Sequence, residues 1–269
     1  MPPTNLSAPP QGACDSAIHI FEPSWAARTG FTGTLPHAPL AAYRAVQAEL
    51  GLERVMISQA SGYGFDNGLL LASLDALDGS GRGTVVIPAD IDAAALADMH
   101  RRGARGVRFM MFGGVLGWDD MFPVAERVAD LGWHFKVQMD GRQIVEHAQL
   151  LASLPVKVLM DIYPTTFPAA LDFDGPEITT LLGLVERDNF WVSLTAPNTP
   201  EECVEPPYLA RRLIDRAPDR CIWSSNWPHL NVSPTPTARH GLDWLATAAP
   251  DTARRDKILA DNPKRLFGF

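Results

Sequence analysis

The sequence predicts a (β/α)8 barrel, the α/β fold in which eight parallel strands alternate with helices around a closed ring. Short apolar runs rich in Val, Ile, Leu and Met recur along the 269 residues, as expected for strands buried on both faces. Helical stretches separate these runs, and the repeated strand–helix units fit one barrel. A doubly wound open sheet is the alternative, but the chain lacks both the G-x-G-x-x-G and the G-x-x-x-x-G-K phosphate-binding turns.

The predicted strands and helices alternate in order along the chain. The strands are Ser16–Phe21, Arg54–Gln59, Gly83–Pro88, Gly106–Met111, His134–Met139, Val156–Asp161, Phe190–Leu194 and Arg220–Ser225. The helices are Leu40–Leu50, Asn67–Ala76, Asp92–Arg101, Pro123–Leu131, Arg142–Ala152, Pro176–Arg187, Pro207–Arg216 and Asp251–Ala260. Pro176 and Pro207 suit the first helical position, and Asp92 can cap free amides.

Residues 1–13 are interpreted as a Pro-rich arm, and residues 14–269 are predicted to form a single barrel domain. The longer irregular stretches each follow a strand and precede a helix, so they fall on the C-terminal face, where barrel active sites lie. The stretch after the fourth strand contains Gly113, Gly114 and Gly117, which make it either a mobile lid or a simple glycine-rich turn.

Composition limits the expected partners. The formal net charge is −8, so nothing favours nucleic acid, although basic residues inside a cleft still admit an anionic small molecule. No apolar run approaches the ~20 residues of a membrane span, and the N-terminal arm does not resemble a signal peptide. The 3 cysteines fit neither a disulfide framework nor a zinc site. We expect a soluble cytoplasmic protein without nucleic-acid or membrane partners, and a homo-oligomer stays open.

The segment CIWSSNWPHLNV carries the strongest functional signal. Its short apolar strand is followed by Asn226 and His229 with an indole between them, so one loop holds an amide and an imidazole. The first and last strands of a barrel are neighbours, and His19 on the first strand is therefore expected to meet Asn226. Asp15, Ala17 and His19 alternate along that strand and are predicted to share one face.

The candidate catalytic residues are His19, Tyr63, Asn226 and His229. An imidazole with its ordinary pKa of about 6.5 suits a general base or a donor to a carbonyl, although a lone histidine on an apolar strand is often buried core. Asn226 does not titrate, but it can donate to a developing oxyanion or hold a substrate hydroxyl. Tyr63 can donate to a carbonyl, and His229 either supplies the base or caps its loop.

The candidate substrate-binding residues are Gln59, Asn67, Arg108, Gln138, Tyr163 and Trp227. Arg108 is the preferred carboxylate clamp, because an arginine in an apolar barrel strand is costly unless it meets an anion. A buried ion pair with Asp140 or Asp161 is the alternative for this arginine. Asn67 has the alternative of capping the following helix.

The sequence leaves the orientation of the fifth strand open. If one face points inward, Lys136 or Gln138 reaches the site. If the other does, Phe135, Val137 and Met139 fill the centre of the barrel and the polar residues contact helices.

Five segments carry a family resemblance, namely DSAIHIF, QASGYGFDN, GVRF, WSSNWPH and the closing DNPKRLFGF. In this order they resemble the amidohydrolase superfamily, amidohydrolase 2 group, and within it the branch of 2-pyrone-4,6-dicarboxylate lactonase and D-galactarolactone isomerase. The resemblance implies a distorted (β/α)8 barrel that hydrolyses or isomerises small, usually acidic, cyclic substrates. Tyr63 stands where this branch tends to have His, and Ser193 where relatives often carry Lys, which implies a different substrate.

The resemblance also bears on metal binding. Metal-dependent members carry His-x-His on strand one, a His on strand six and an Asp on strand eight, and this chain has Ala17, Ile162 and Asn226 there. His19 alone cannot hold a divalent ion, and a neutral amide is a poor zinc ligand. We therefore expect no bound metal and no cofactor, in line with the metal independence that the lactonase and isomerase branch implies.

Together these observations predict a metal-independent hydrolase or isomerase that acts on a small carboxylated lactone of the sugar-acid or pyrone type. Isomerisation ranks at least level with hydrolysis, because Asn226 cannot activate water, whereas a substrate hydroxyl held beside its own lactone carbonyl needs less base strength. One alternative is a cyclase, dehydratase or decarboxylase with an apolar pocket formed by Ala17, Ile162 and Tyr163. The other is a ligand-binding barrel without catalytic activity.

Overall fold

The structure of the chain, a computed structural model, describes residues 8–168, 171–197, 208–230, 232 and 235–269. Its single sheet contains eight parallel strands, each paired with the next one in the sequence. The strands are β1 (Cys14–Ile18), β2 (Arg54–Ser58), β3 (Gly81–Val85), β4 (Ala104–Met110), β5 (His134–Gln138), β6 (Lys157–Ile162), β7 (Phe190–Thr195) and β8 (Cys221–Ser224). This order confirms the predicted (β/α)8 barrel.

Helices connect successive strands and continue after the last one. They are α1 (Leu40–Leu50), α2 (Gly68–Ala76), α3 (Ala93–Arg101), α4 (Met121–Val128), α5 (Ile144–Ser153), α6 (Pro176–Val185), α7 (Tyr208–Arg216), α8 (His240–Ala248), α9 (Thr252–Asp256) and α10 (Asn262–Phe267). A π-helical turn, Lys257–Asp261, joins α9 to α10. None of the described helices is both long and apolar enough to cross a membrane.

Several element boundaries differ from the predicted ones. The strands β1, β3 and β4 begin two residues before their predicted starts. The small and polar residues before each apolar run also pair with the neighbouring strand, so the strand starts earlier than the run. The prediction lacks α8, and its last helix, Asp251–Ala260, corresponds to α9 and the π-helical turn, after which α10 continues to Phe267. Pro207 lies outside the described residues, and the division at residue 13 stays a prediction.

Two apolar clusters lie on opposite sides of the strands. The larger one packs the strands against the helices, for example through Val107 and Phe135. The smaller one contains Cys14, Met56, Leu159, Trp191, Ile222, Leu266 and Phe267. Because side chains alternate along a strand, the small cluster plugs the lower part of the barrel interior, and polar residues two and four positions later point into the upper part.

The barrel closes between β1 and β8 through backbone hydrogen bonds. The His19 N–H donates to the Trp227 carbonyl at 2.9 Å, and the Asn226 N–H donates to the Ala17 carbonyl at 3.1 Å. These bonds place His19 and Asn226 side by side at the C-terminal end of the barrel, as the sequence predicted.

Asp15 lies on the opposite side of β1 from the predicted one. The pairing of β1 with β2 shifts register just after Asp15, an irregularity of the β-bulge type. Asp15 consequently accepts hydrogen bonds from the Ser225 N–H at 2.9 Å, the Ser225 hydroxyl at 2.6 Å and the hydroxyl of Tyr43 on α1 at 3.2 Å. The prediction that Asp15, Ala17 and His19 share one face is wrong, because strict alternation fails across a bulge. Burial raises the pKa of the Asp15 carboxyl to about 6, although these hydrogen bonds lower it.

We expect Asp15→Ala to lower the free energy of unfolding by about 2–4 kcal/mol, because it leaves the Ser225 N–H and the Tyr43 hydroxyl buried without an acceptor. Tyr43→Phe removes only one of these donors and should cost about 1 kcal/mol. Urea unfolding followed by tryptophan fluorescence measures both values. Equal stability of Asp15→Ala and the wild type would contradict the role of Asp15 in barrel closure.

Candidate functional site

A pocket, here named the central pocket, lies at the carboxyl end of the strands. It is lined by Ala17, His19, Arg108, Lys136, Gln138, Asp161, Tyr163, Thr195, Ser224 and Asn226 and contains about 260 Å³ of space, part of which is open to solvent. Its position above the apolar plug is the one at which (β/α)8 barrels hold their active sites. The predicted site residues that the structure brings together here are His19, Arg108, Gln138, Tyr163 and Asn226.

The orientation of β5 settles one of the open alternatives. Lys136 and Gln138 line the central pocket, whereas Phe135, Val137 and Met139 belong to the cluster that packs against the helices. The polar face of β5 therefore points into the barrel, and a buried lysine joins the site.

The central pocket holds more positive than negative charge. Lys136 forms an ion pair with Asp161, and their side chains are 2% and 11% exposed. Burial lowers the pKa of Lys136, and Asp161 opposes this by stabilising the ammonium form. Arg108 forms an ion pair with neither of its two alternative partners, because Asp161 binds Lys136 and Asp140 binds Arg142. An anionic ligand would balance the remaining charge.

Arg108 is held in place by neutral groups. Its Nη1 donates to the Gln59 carbonyl at 2.5 Å, and its Nη2 donates to Oε1 of Gln138 at 2.9 Å. Its Nε has no hydrogen-bond partner in the part of the chain that the structure describes. Burial lowers the pKa of this guanidinium. A carboxylate ligand would strongly stabilise this buried cation, because its described partners are neutral and its Nε–H is unpaired among them.

His19 is fixed as a neutral imidazole. Its Nδ1 lies 2.9 Å from the Ser58 carbonyl, which only accepts hydrogen bonds, so Nδ1 carries the proton. The Asn226 side chain also hydrogen-bonds to the ring. Burial and the nearby charges of Arg108 and Lys136 lower the pKa of His19 to about 3. The unprotonated Nε2 can therefore accept a hydrogen bond, but the ring resists becoming a cation.

Neutral donors complete the walls of the central pocket. Nε2 of Gln138 donates to the Tyr163 hydroxyl at 2.6 Å, and burial raises the pKa of that phenol. The hydroxyl of Ser224 lies 2.7 Å from that of Thr195 and 3.0 Å from that of Ser193. These hydroxyl groups bind one another across β7 and β8, so they offer a ligand hydrogen bonds without added charge.

Three predicted site residues, Gln59, Tyr63 and Asn67, organise loops instead of lining the central pocket. The Gln59 amide donates to two carbonyls of the loop after β2. The Tyr63 hydroxyl accepts from the Glu22 N–H at 3.1 Å, which ties the loop after β1 to the loop after β2. The Asn67 side chain pairs with both the N–H and the carbonyl of Val86 after β3, at 2.9 and 2.8 Å. Their contacts shape the rim of the barrel.

Trp227 and His229 also lie outside the lining of the central pocket. The Trp227 ring contacts the ring of Tyr43, with 5.5 Å between centroids. Asn226 and His229 adopt positive φ angles of 59° and 60°, so the chain turns sharply after β8. Burial, with a smaller contribution from His240, lowers the pKa of His229 to about 4.

Sequence reasoning did not assign Asp161, Thr195 or Ser224 to the site. The usable signal is alternation, since Asp161 follows the plug residue Leu159 by two positions on β6. The prediction that Ile162 lines an apolar pocket is wrong, because its side chain packs in the outer cluster and Asp161 faces inward. The pocket interior is accordingly charged and polar.

The donor set of the central pocket does not fit a catalytic zinc ion. Asp161 is engaged by Lys136, Asn226 is an amide, and His19 already uses one ring nitrogen. The charges of Lys136 and Arg108 also repel a dication. Among the residues described by the structure, no group of three or more His, Cys, Asp or Glu side chains is suited to hold a metal.

A comparison with protein families identifies the family of this chain. The model of the Amidohydrolase family (Amidohydro_2) matches residues 14–269. The chain belongs to this amidohydrolase family. The match confirms the resemblance that the five sequence segments indicated.

Similar curated proteins cover almost the full length of this amidohydrolase. D-galactarolactone isomerase of Agrobacterium fabrum is 29% identical, with 96% of this chain and 91% of the relative covered. The 4-sulfomuconolactone hydrolase of Hydrogenophaga intermedia is 31% identical, with 96% and 89% covered. The 2-pyrone-4,6-dicarboxylate hydrolase of Comamonas testosteroni is 28% identical, with 96% and 90% covered.

A solved structure shares the architecture of this amidohydrolase. The apo crystal structure of ATU3138 from Agrobacterium tumefaciens superposes with a TM-score of 0.88 at 28% sequence identity. The match covers 97% of this chain and 97% of the other, so the two folds correspond over nearly their whole length.

We expect the His19 imidazole to remain neutral, with the proton on Nδ1, from pH 7.5 to about 4.5. Folding lowers its pKa from 6.5 to about 3, so the neutral form contributes stability that is complete above pH ~6.5 and is lost as the pH falls towards 3. Long-range proton–nitrogen NMR of ¹⁵N-histidine protein detects the tautomer, and His19→Asn assigns the signal. A His19 titration with a midpoint near pH 6.5 would contradict the assignment.

Proposed function

We propose that this amidohydrolase isomerises a small carboxylated lactone without a metal ion. The observation that carries the proposal is the combination of two residues in the central pocket. Arg108 is a buried cation without a carboxylate partner among the described residues, and Asn226 occupies the end of β8, where an activating carboxylate would stand. The pocket thus provides for an anion and lacks the group that would activate water at that position.

The names of the relatives support the substrate class. They describe a lactone isomerase and hydrolases of a sulfonated lactone and a pyrone dicarboxylate, each a cyclic compound with acidic groups. These proteins are about 30% identical to this chain over nearly its whole length. A positively charged central pocket is compatible with any of these compounds. The relatives are almost equally similar to this chain, so sequence identity does not select one substrate among them.

Arg108 binds the substrate carboxylate in this proposal. Its Nε has no partner in the described structure, and its Nη2 bond to Gln138 can be exchanged for a carboxylate oxygen. A planar guanidinium then contacts both oxygens of the carboxylate, which fixes the orientation of the ring. Gln138 keeps its bond to Tyr163 during this exchange.

The opposite side of the central pocket polarises the lactone carbonyl. The Asn226 amide and the Lys136 ammonium are the donors available to an oxyanion, and the neutral His19 ring holds Asn226 in place. A hydroxyl of the substrate then attacks its own carbonyl carbon. Intramolecular attack reaches effective concentrations of about 10⁵ M or more, so it needs less activation than attack by water.

The cellular setting is proposed on composition and cysteine state. Cys14 and Cys221 are buried free thiols, as expected in a reducing compartment. We propose that the protein acts in the cytoplasm on a small anionic substrate, without nucleic-acid or membrane partners.

We expect chelator-treated protein to convert at least one lactone of a panel of aldaric-acid lactones and pyrone dicarboxylates, with an isomeric lactone as the product. Proton NMR of the mixture against a protein-free control identifies the product. The reaction should proceed at the same rate before and after chelation.

Three other outcomes would replace the proposal. An open acid as the sole product indicates hydrolysis. Turnover that disappears on chelation and returns with added zinc indicates a metal enzyme. Thermal stabilisation by a lactone without any turnover indicates a binding protein.

We expect Arg108→Met to lower kcat/KM for the carboxylated lactone by about 10²-fold, mostly through KM, because a charge-assisted contact of ~3 kcal/mol is lost. The methyl ester of the same lactone should react equally poorly with the wild type and with Arg108→Met. Arg105→Met, on the same strand but bonded to the His100 carbonyl, is the matched control and should keep KM unchanged. Steady-state kinetics on both substrates measure the effect, and equal losses on acid and ester would contradict the carboxylate contact.

A further inference from the structure

Asp161 is the only carboxylate that lines the central pocket within the described part of the chain. Its Oδ1 accepts a hydrogen bond from Nζ of Lys136. Its Oδ2 accepts none from the residues that the structure describes, and 11% of the side chain remains exposed. The carboxylate therefore offers one free oxygen to a ligand, and the lysine holds it in a fixed orientation.

The other polar groups of the pocket are poorly suited to take a proton from a hydroxyl. Asn226 does not titrate, and Tyr163 enters the reaction as a protonated phenol. A proton on Nε2 of His19 would create a third cation beside Arg108 and Lys136, and both cations oppose it. Asp161 is the one anionic group among the described lining residues, and when it takes the proton the negative charge that develops on the substrate oxygen beside Lys136 replaces the charge that Asp161 loses.

We propose that Asp161 is the catalytic proton carrier of the lactone isomerisation, with Lys136 as its positioning partner and as a donor to the oxyanion. The inference rests on the proposed function and deepens it. The base then stands on β6, two strands away from the Asn226 position at the end of β8.

The reaction is balanced without any further reagent. The substrate hydroxyl forms a C–O bond to the lactone carbonyl carbon, and its proton passes to Oδ2 of Asp161. The negative charge collects on the former carbonyl oxygen, beside Lys136 and Asn226. The original ring C–O bond then breaks, and the departing oxygen takes the proton back from Asp161. The lactone changes its ring and the enzyme regains its starting state.

The first test is the isosteric substitution Asp161→Asn. We expect kcat to fall by about 10²–10⁴-fold, because an amide cannot take the proton. Asp140→Asn is the matched control, because Asp140 follows β5 and binds Arg142 outside the pocket, and it should keep wild-type kcat. If the wild type turns over a lactone and Asp161→Asn keeps more than a third of the wild-type kcat, the inference is overturned and the proposed function stays intact. Absence of wild-type turnover on the whole panel would overturn both.

A second variant separates catalysis from charge balance, because Asp161→Asn also leaves Lys136 buried without its partner. The double variant Lys136→Gln/Asp161→Asn removes both charges and restores a neutral pair. If Asp161 only balances Lys136, the double variant is as active as the single variant Lys136→Gln and the inference fails. If Asp161 carries the proton, the double variant folds by circular dichroism but is at least 10²-fold slower than Lys136→Gln.

Chemical rescue gives an independent readout. Asp161→Gly leaves a space that formate can enter, and we expect added formate to raise its kcat at least tenfold without a matching rise in Tm. Rescue of Tm alone, with no gain in kcat, would assign Asp161 a purely structural role.

Discussion

Closure of the barrel between β1 and β8 is the constraint on which the site depends. The bulge in β1 turns Asp15 outward to Ser225 and Tyr43, and the following residues resume the inward face. Burying this carboxylate is unfavourable, as its raised pKa shows, and its hydrogen bonds offset that cost. The two backbone hydrogen bonds at the closure fix the position of His19 beside Asn226. The chemistry of the pocket follows from that contact.

Charge decides what the pocket can do once it is assembled. Arg108 and Lys136 stand on neighbouring strands above the plug, and one carboxylate, Asp161, compensates only one of them. Burial and the combined field of these two cations keep His19 neutral. The ring therefore orients Asn226 and can accept a hydrogen bond, but it does not take up a proton. An imidazole near its ordinary pKa would suit general base catalysis, and the sequence alone indicated that role. The surroundings of the ring, which a sequence does not display, reverse it.

The parts of the site that could be predicted are those with a local signal. Arg108 stood out because a charge in an apolar strand needs a reason, and Asn226 because it ends the last strand of a barrel. Asp15 was placed on the wrong face because nothing in the residue types announces a bulge. Tyr63 was predicted to line the pocket and does not, and Asp161 lines it without having been predicted. Loop geometry and strand register decide whether such side chains enter the pocket. The fold was more accessible than the site, since repeated apolar runs tolerate errors of two or three residues.

Asn226 connects the charge of the substrate with the type of reaction. A carboxylate in its place would hydrogen-bond to His19, raise the pKa of that ring and cancel one positive charge of the pocket. The Asn226 amide also hydrogen-bonds to His19, but it carries no charge, so the excess positive charge of the pocket remains available to an anionic ligand. The amide also cannot take a proton from water at the end of β8. A nucleophile carried by the substrate suffers least from this loss, because its position beside the carbonyl replaces part of the activation. The same neutral side chain therefore supports both parts of the proposal, an anionic lactone as the substrate and intramolecular attack in place of hydrolysis.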